Sequence, residues 1–222
     1  MTIPKYDRSK HFRIMDRAQS NYANQLKRLS RNAKRSNFIL IYYSLALIIC
    51  ALSIKFYPAL FNETWISYSN IILSIIVLIY SIINSKADYT NRISKIQVAL
   101  NEVKRLKREL GALEENANDK FDKLKNEYDS IVSSTEVRDD LDFFHTVRQL
   151  CKLYGINHIT GKLRKGYEEN DDNKDVIREI RGYISEINPI LQWGNLICLF
   201  SFHIIIYLVP LTILGVGILT KN

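Results

Sequence analysis

FILIYYSLALIICALSIKF at residues 38–56 and WISYSNIILSIIVLIYSII at residues 65–83 are two 19-residue apolar runs, separated by the eight residues YPALFNET. At about 1.5 Å of rise per residue, each run makes a helix roughly 28 Å long, the hydrocarbon thickness of a bilayer. The first holds one charge, Lys55, near its end, where the side chain can snorkel toward water; the second holds none. Backbone groups cannot go unpaired in lipid, so the runs read as a membrane-spanning helical hairpin.

Charge distribution orients the hairpin. Residues 1–37 carry ten Lys or Arg against two acids, a net charge of +8, which equals that of the whole chain. Seven of the eight residues of the connection between the runs are uncharged, Glu63 being the exception. A second basic cluster, including Lys86, Arg92 and Lys95, follows the second run. Basic flanks stay in the cytoplasm. The expected topology therefore puts the N-terminus and residues 85–188 inside and the short connection outside, in a multi-pass membrane protein. A third apolar stretch, residues 191–220, is opened by Asn188-Pro189, the pairing of a cap with proline at the first helical position. It is expected to cross once, kinked at Pro210, and to leave the C-terminus outside. The first run is a poor signal peptide, because its basic region is long and no small-residue cleavage pattern follows.

These readings define an all-α integral membrane protein in four parts: a basic amphipathic arm (1–37), the two-span hairpin (38–84), a cytoplasmic helical region (85–188) and a third transmembrane helix (189–220). In the arm, Phe12, Met15, Tyr22, Leu26 and Leu29 recur at helical spacing with basic residues on the other face. Lys27, Arg28, Arg31, Lys34 and Arg35 are candidate contacts for anionic lipid, each contributing about 1 kcal/mol near the surface. Simple topological anchoring explains the same residues. Direct nucleic-acid binding by the arm is disfavoured, because it would compete with the adjacent lipid.

The cytoplasmic region opens as a continuation of the second run, with nothing helix-breaking between Trp65 and Leu110. Ile93, Ile96, Leu100, Val103, Leu106, Leu110 and Leu113 repeat at three and four residues, the spacing of a coiled-coil-like seam, and form a candidate surface for joining protomers. Gly111 and residues 116–119 should end that helix. Further amphipathic stretches carry Phe121, Leu124, Tyr128 and Ile131, then Leu141, Phe144, Val147, Cys151 and Tyr154 with Gly155 as a terminator, and finally Val176, Ile180, Tyr183 and Ile187 behind an Asp175 cap.

Catalytic signatures are missing from the sequence. The cysteines Cys50, Cys151 and Cys198 suggest no disulfide framework, and the four histidines are scattered, His145 reading as a packed residue. There is no phosphate loop, nucleophile triad or framed carboxylate pair, so no enzyme, metal or cofactor is expected.

The basic arm, the tight hairpin with runs such as IYYSLALIIC and IILSIIVLIYSII, and the helix continuing from the second run resemble the SLATT superfamily of bacterial conflict-system membrane effectors over about residues 8–140. In related sequences a cytoplasmic tyrosine precedes a Glu-Asn-His-like tripeptide; here Tyr128 precedes Glu136-Val137-Arg138, and only the glutamate matches. The resemblance implies an effector that oligomerises in the inner membrane and permeabilises it when a neighbouring sensor is triggered. That sensor would be a nucleotide-signalling or reverse-transcriptase type of protein encoded nearby.

The residues offer a compatible mechanism. Ser67, Asn70, Ser74, Ser81 and Asn84 project to one stripe of the second run, and Ala46, Cys50 and Ser53 form a small-residue face on the first. Polar groups in a span turn away from lipid, either to pack another helix or to line water. A single hairpin encloses no channel, so a lumen demands self-assembly. The alternative is a non-conducting scaffold that docks a cytoplasmic partner on the helices of residues 141–187; a holin-like or transporter subunit would need buried coupling charges that the runs lack.

Overall fold

The computed structural model describes residues 5–114, 117–170, 173–186 and 189–220. Within them the chain forms seven helices: α1 (Lys5–Phe56), α2 (Glu63–Ala87), α3 (Tyr89–Gly111), α4 (Asn118–Ser134), α5 (Asp140–Leu153), α6 (Lys174–Glu186) and α7 (Pro189–Leu219). The described residues contain no strand, only an isolated antiparallel bridge between Ile156 and Leu163. The helices sort into two compact units, Met1–Ser30 with Thr90–Gly194, and Arg31–Tyr89 with Asn195–Asn222.

Two boundaries differ from expectation. The helix that should run unbroken from Trp65 to Leu110 is interrupted at Asp88, which adopts the left-handed conformation (φ 41°, ψ 47°) and donates its N–H to the Ser85 carbonyl. Aspartate tolerates this region better than most residues, because its short polar side chain bonds locally. The last cytoplasmic helix begins at Lys174, so Asp175 lies in its first turn rather than at the cap. There its carboxylate favours the positive end of the helix dipole. Pro189 opens α7 as expected, while Asn188, Ile187 and Asn116 lie outside the described residues.

In the first unit, the apolar stripe of α3 is buried. Ile96, Val103 and Leu106 are fully buried and Leu100 and Leu110 nearly so, each contributing about 1.5–3 kcal/mol. Met15, Tyr22 and Leu29 of α1, Phe121 and Leu124 of α4, Phe144, Val147 and Cys151 of α5, and Ile177 and Ile180 of α6 complete this core. The face expected to join protomers is thus covered by helices of its own chain; only Ile93 and Leu113, at its ends, are half-buried. Spacing shows that a helix has a packing partner, not which chain supplies it.

Polar contacts hold the ends. The Arg8 guanidinium donates to the Leu110 carbonyl (Nη2, 2.8 Å; Nε, 3.2 Å) and to that of Gly111, capping the last turn of α3, where orphan carbonyls and the helix dipole favour a cation. Lys107 pairs with Asp16. Asp139 caps α5 by accepting from the Leu141 N–H at 3.2 Å. At its other end Gly155 turns with φ 65°, where a Cβ would lie 2.1 Å from the Tyr167 ring, so only glycine fits.

The second unit packs the apolar halves of α1 and α7 on α2. Ile39, Tyr43 and Leu73 form its buried centre, with Val77, Tyr80 and Ile206 against them. Only 22% and 17% of the most apolar windows of the first two helices are buried, so Ile41, Leu45, Ile71, Ile75, Leu78 and others stand exposed on the outer faces. A soluble core helix would hide that surface. Exposed apolar belts of this length instead belong in hydrocarbon. α7 is a third apolar helix, one unbroken element whose segment Ile204–Leu219 carries the apolar run among the described residues.

Hydrogen bonds lock both ends of this unit. Ser36 donates to the Asn84 side-chain oxygen at 2.5 Å. Asn62 caps α2 by accepting from the Trp65 N–H at 3.1 Å, and its own N–H donates to the Gly217 carbonyl at 3.0 Å. The Trp65 indole donates to the Ile213 carbonyl at 3.2 Å. A Cβ on Gly217 would sit 2.6 Å from Ile66 Cδ1, so glycine lets α7 close on α2. The C-terminal end of α7 therefore lies at the α1–α2 connection.

Candidate functional site

The face that α2 uses for packing is set by Ile66, Ser69 and Leu73, buried at 0–4% exposure, and continued by Val77 and Tyr80. Ser67, Ser74 and Ser81 recur every seven residues, rotated by roughly 100° from the middle of that face, and all three are exposed. The expected five-residue stripe is thus divided. Its three serines face away from the chain's own helices, Asn70 is half-buried at the margin, and Asn84 turns inward to bond Ser36. The Ser74 hydroxyl donates to the Asn70 carbonyl at 2.8 Å, which hides its polarity within the helix. The Asn70 side-chain oxygen is shielded from solvent and has no hydrogen-bond partner among the described residues. On α1, Ala46 and Cys50 are buried, and Ser53 bonds back to the Ile49 carbonyl at 2.8 Å, so that small-residue face serves packing within the chain.

The basic face of α1 also separates. Arg28 is held by Asp142, whose side chain is only 1% exposed, through Nε at 3.0 Å to Oδ1 and Nη2 at 3.0 Å to Oδ2, with Asp139 at 3.4 Å. A buried carboxylate demands such a partner, and this removes Arg28 from the set of lipid contacts. Lys27, Arg31 and Lys34 remain exposed at i, i+4 and i+7, with Arg35 half-buried beside them.

Tyr128 and Glu136 do different work. Burial, with Tyr22 as the next cause, pushes the Tyr128 phenol up to about 12, so it stays neutral and serves as a packed ring. The Glu136 carboxylate receives the Arg92 guanidinium through Nε at 2.9 Å and through Nη2, joining the loop after α4 to the start of α3. The hydrogen bond from Arg92 holds Glu136 below its ordinary value near 4.5. A carboxylate lowered in the folded state stabilises above its unfolded value, and that contribution is lost as pH falls through the folded one. Since the side chain is 37% exposed, screening limits the effect to under about 1 kcal/mol. Acid unfolding of the detergent-solubilised chain should begin at slightly higher pH with Glu136→Gln, and the variant's deficit at pH 7 should shrink as the pH falls below the ordinary glutamate value. A deficit independent of pH would mean that the ion pair does not carry it.

Other perturbed groups are scattered. Burial raises the Cys151 thiol to about 11, which leaves it inert, and burial followed by Arg148 and Arg164 lowers His158. Among the described residues no three His, Cys, Asp or Glu side chains are placed to hold a metal. The feature that sequence reasoning missed lies in the second unit: Tyr42 and Tyr43 donate their hydroxyls to backbone carbonyls of α7. Its signal was legible in the position of Pro210.

Residues 23–216 match the family model described as "SMODS and SLOG-associating 2TM effector domain family 5". No curated protein and no solved structure matches the chain.

Proposed function

The chain belongs to this SLATT family of two-transmembrane effector domains, and from that premise we propose that it self-assembles in the bacterial inner membrane and permeabilises it when a partner sensor is triggered. The observation that carries the reading is the exposure of Ser67, Ser74 and Ser81 in heptad register on a span whose packing face is already filled. Although Ser74 bonds back to the Asn70 carbonyl, each of these hydroxyl oxygens keeps acceptor capacity that other copies or water can meet. Because α3 spends its apolar seam inside its own chain, assembly falls to the exposed faces of the spans. Lys27, Arg31 and Lys34 would hold the arm to anionic headgroups on the cytoplasmic side. The family's association with SMODS and SLOG domains supports a sensor of the nucleotide-signalling class encoded nearby.

The topology follows from the same residues. The +8 arm stays inside, and the bonds from Asn62 and Trp65 bring the end of α7 to the α1–α2 connection, which supports a C-terminus outside. One labelling series tests both halves of the proposal. In a cysteine-free background, Thr220→Cys should react with a membrane-impermeant thiol reagent in resting cells, while Lys86→Cys should not. Ser74→Cys should react only after triggering, because activation admits water to that depth. A Ser74→Cys protein that stays unreactive in cells losing membrane potential would sink the lumen assignment. The scaffold reading, which draws on the exposed Leu153 and Ile159 of the cytoplasmic unit, would then be preferred.

A further inference from the structure

Pro210 lies within α7 and is buried. It has no N–H, so the carbonyl of Ile206, four residues back, has no helical partner; a proline ring also crowds that carbonyl and, as a rule, weakens the next helical bond, here the one to the carbonyl of Tyr207. These two oxygens are the ones that α1 supplies with donors. The Tyr43 hydroxyl donates to the Ile206 carbonyl at 2.8 Å, and the Tyr42 hydroxyl to the Tyr207 carbonyl at 2.9 Å. In hydrocarbon no water can replace them, and a proline in a span is tolerated where neighbouring side chains satisfy the freed groups. The rings are braced as well: Tyr207 meets Tyr42 at 6.0 Å and Phe38 at 5.9 Å, both edge to face.

We infer that Pro210 is a hinge in the third apolar helix and that the paired hydroxyls of Tyr42 and Tyr43 are the latch that holds it closed against the first span. The segment beyond the proline is anchored separately, by Trp65 on Ile213 and Asn62 on Gly217. The latch therefore governs the segment before it. There an apolar crevice of about 70 Å³ is lined by Ile39, Leu40, Tyr43, Ile76, Val77 and Ile206 among others, so that one of the two tyrosine rings forms part of its wall. Loss of the latch lets this part of α7 swing from α1 and widens the crevice. The device stands on this geometry alone and does not depend on the permeabilising activity.

The test is an epistasis measured by amide hydrogen exchange of α7 in the full chain, in lipid nanodiscs. Tyr42→Phe/Tyr43→Phe keeps both rings and removes only the hydroxyls, and should accelerate exchange around residues 206–209 by at least about tenfold. Pro210→Ala restores the N–H that bonds Ile206. In that background the same tyrosine substitutions should change exchange by no more than about twofold, since the carbonyl has regained its helical partner. Tyr80→Phe, which alters another ring of the crevice, is the control for general loosening. Equal acceleration in the native and Pro210→Ala backgrounds, no acceleration in the native background, or equal acceleration by Tyr80→Phe would each overturn the latch. Basal dye entry by the tyrosine variant then reports separately on the effector reading. Faster exchange with no leak leaves the hinge standing and counts against permeabilisation through this unit.

Discussion

Replacing Ser74 and Ser81 with leucine should abolish triggered dye entry and loss of membrane potential while leaving expression and insertion intact. Leucine is among the side chains most readily inserted at the centre of a span, worth a few tenths of a kcal/mol in favour of insertion, so the helix should still enter the membrane. Neither serine lies on the packing face filled by Leu73, Val77 and Tyr80, so the fold of the hairpin should also survive. What changes is the exposed stripe, which loses two hydroxyls and gains two bulky aliphatic groups on the proposed wall. If the stripe lines water, both the polarity and the width of the path go, and the loss should be nearly complete. Unchanged dye entry would show that the stripe faces lipid and that any path lies elsewhere.

The second large effect is expected in the cytoplasmic unit. Val103→Asp should remove the protease-resistant fold of that unit altogether, whereas Val98→Asp, five residues away on the same helix, should be nearly silent. Val103 is fully buried and Val98 is 60% exposed. An uncompensated carboxylate in a packed interior costs several kcal/mol, a large part of the roughly 5–15 kcal/mol that hold a domain together. An exposed substitution stays within about 0.5 kcal/mol. Limited proteolysis and thermal melting of the detergent-solubilised chain distinguish the two. A folded Val103→Asp protein that has lost only its oligomers would mean that the seam joins protomers after all.

Much of this architecture was legible from local chemistry. Two 19-residue apolar runs without the in–out alternation of barrel strands read as helices in lipid, whatever packs beside them, because a helix satisfies every backbone hydrogen bond within its own segment. Gly155 marked the end of α5 because the turn there needs a positive φ, and Gly111 closes α3 for the related reason that glycine is a poor helix former. The family arrangement was likewise readable, since order and length of helical runs are properties of the chain alone.

Partner choice was not legible, for a physical reason: periodicity specifies a face, and a face is satisfied equally by the same chain or another. Only the packed structure assigns Leu100, Val103 and Leu106 to an internal core, gives Arg28 to Asp142 instead of lipid, and turns Asn84 inward to Ser36 while leaving Ser67, Ser74 and Ser81 outside. The break at Asp88 escaped as well, because aspartate is compatible with both the helical and the left-handed conformation, so residue type alone does not mark the break. Pro210 lies between these cases. The sequence by itself determined that two carbonyls of α7 would be weakened by the proline, and the tertiary structure decided that Tyr42 and Tyr43, from a helix some 165 residues away in the chain, would be the groups to satisfy them.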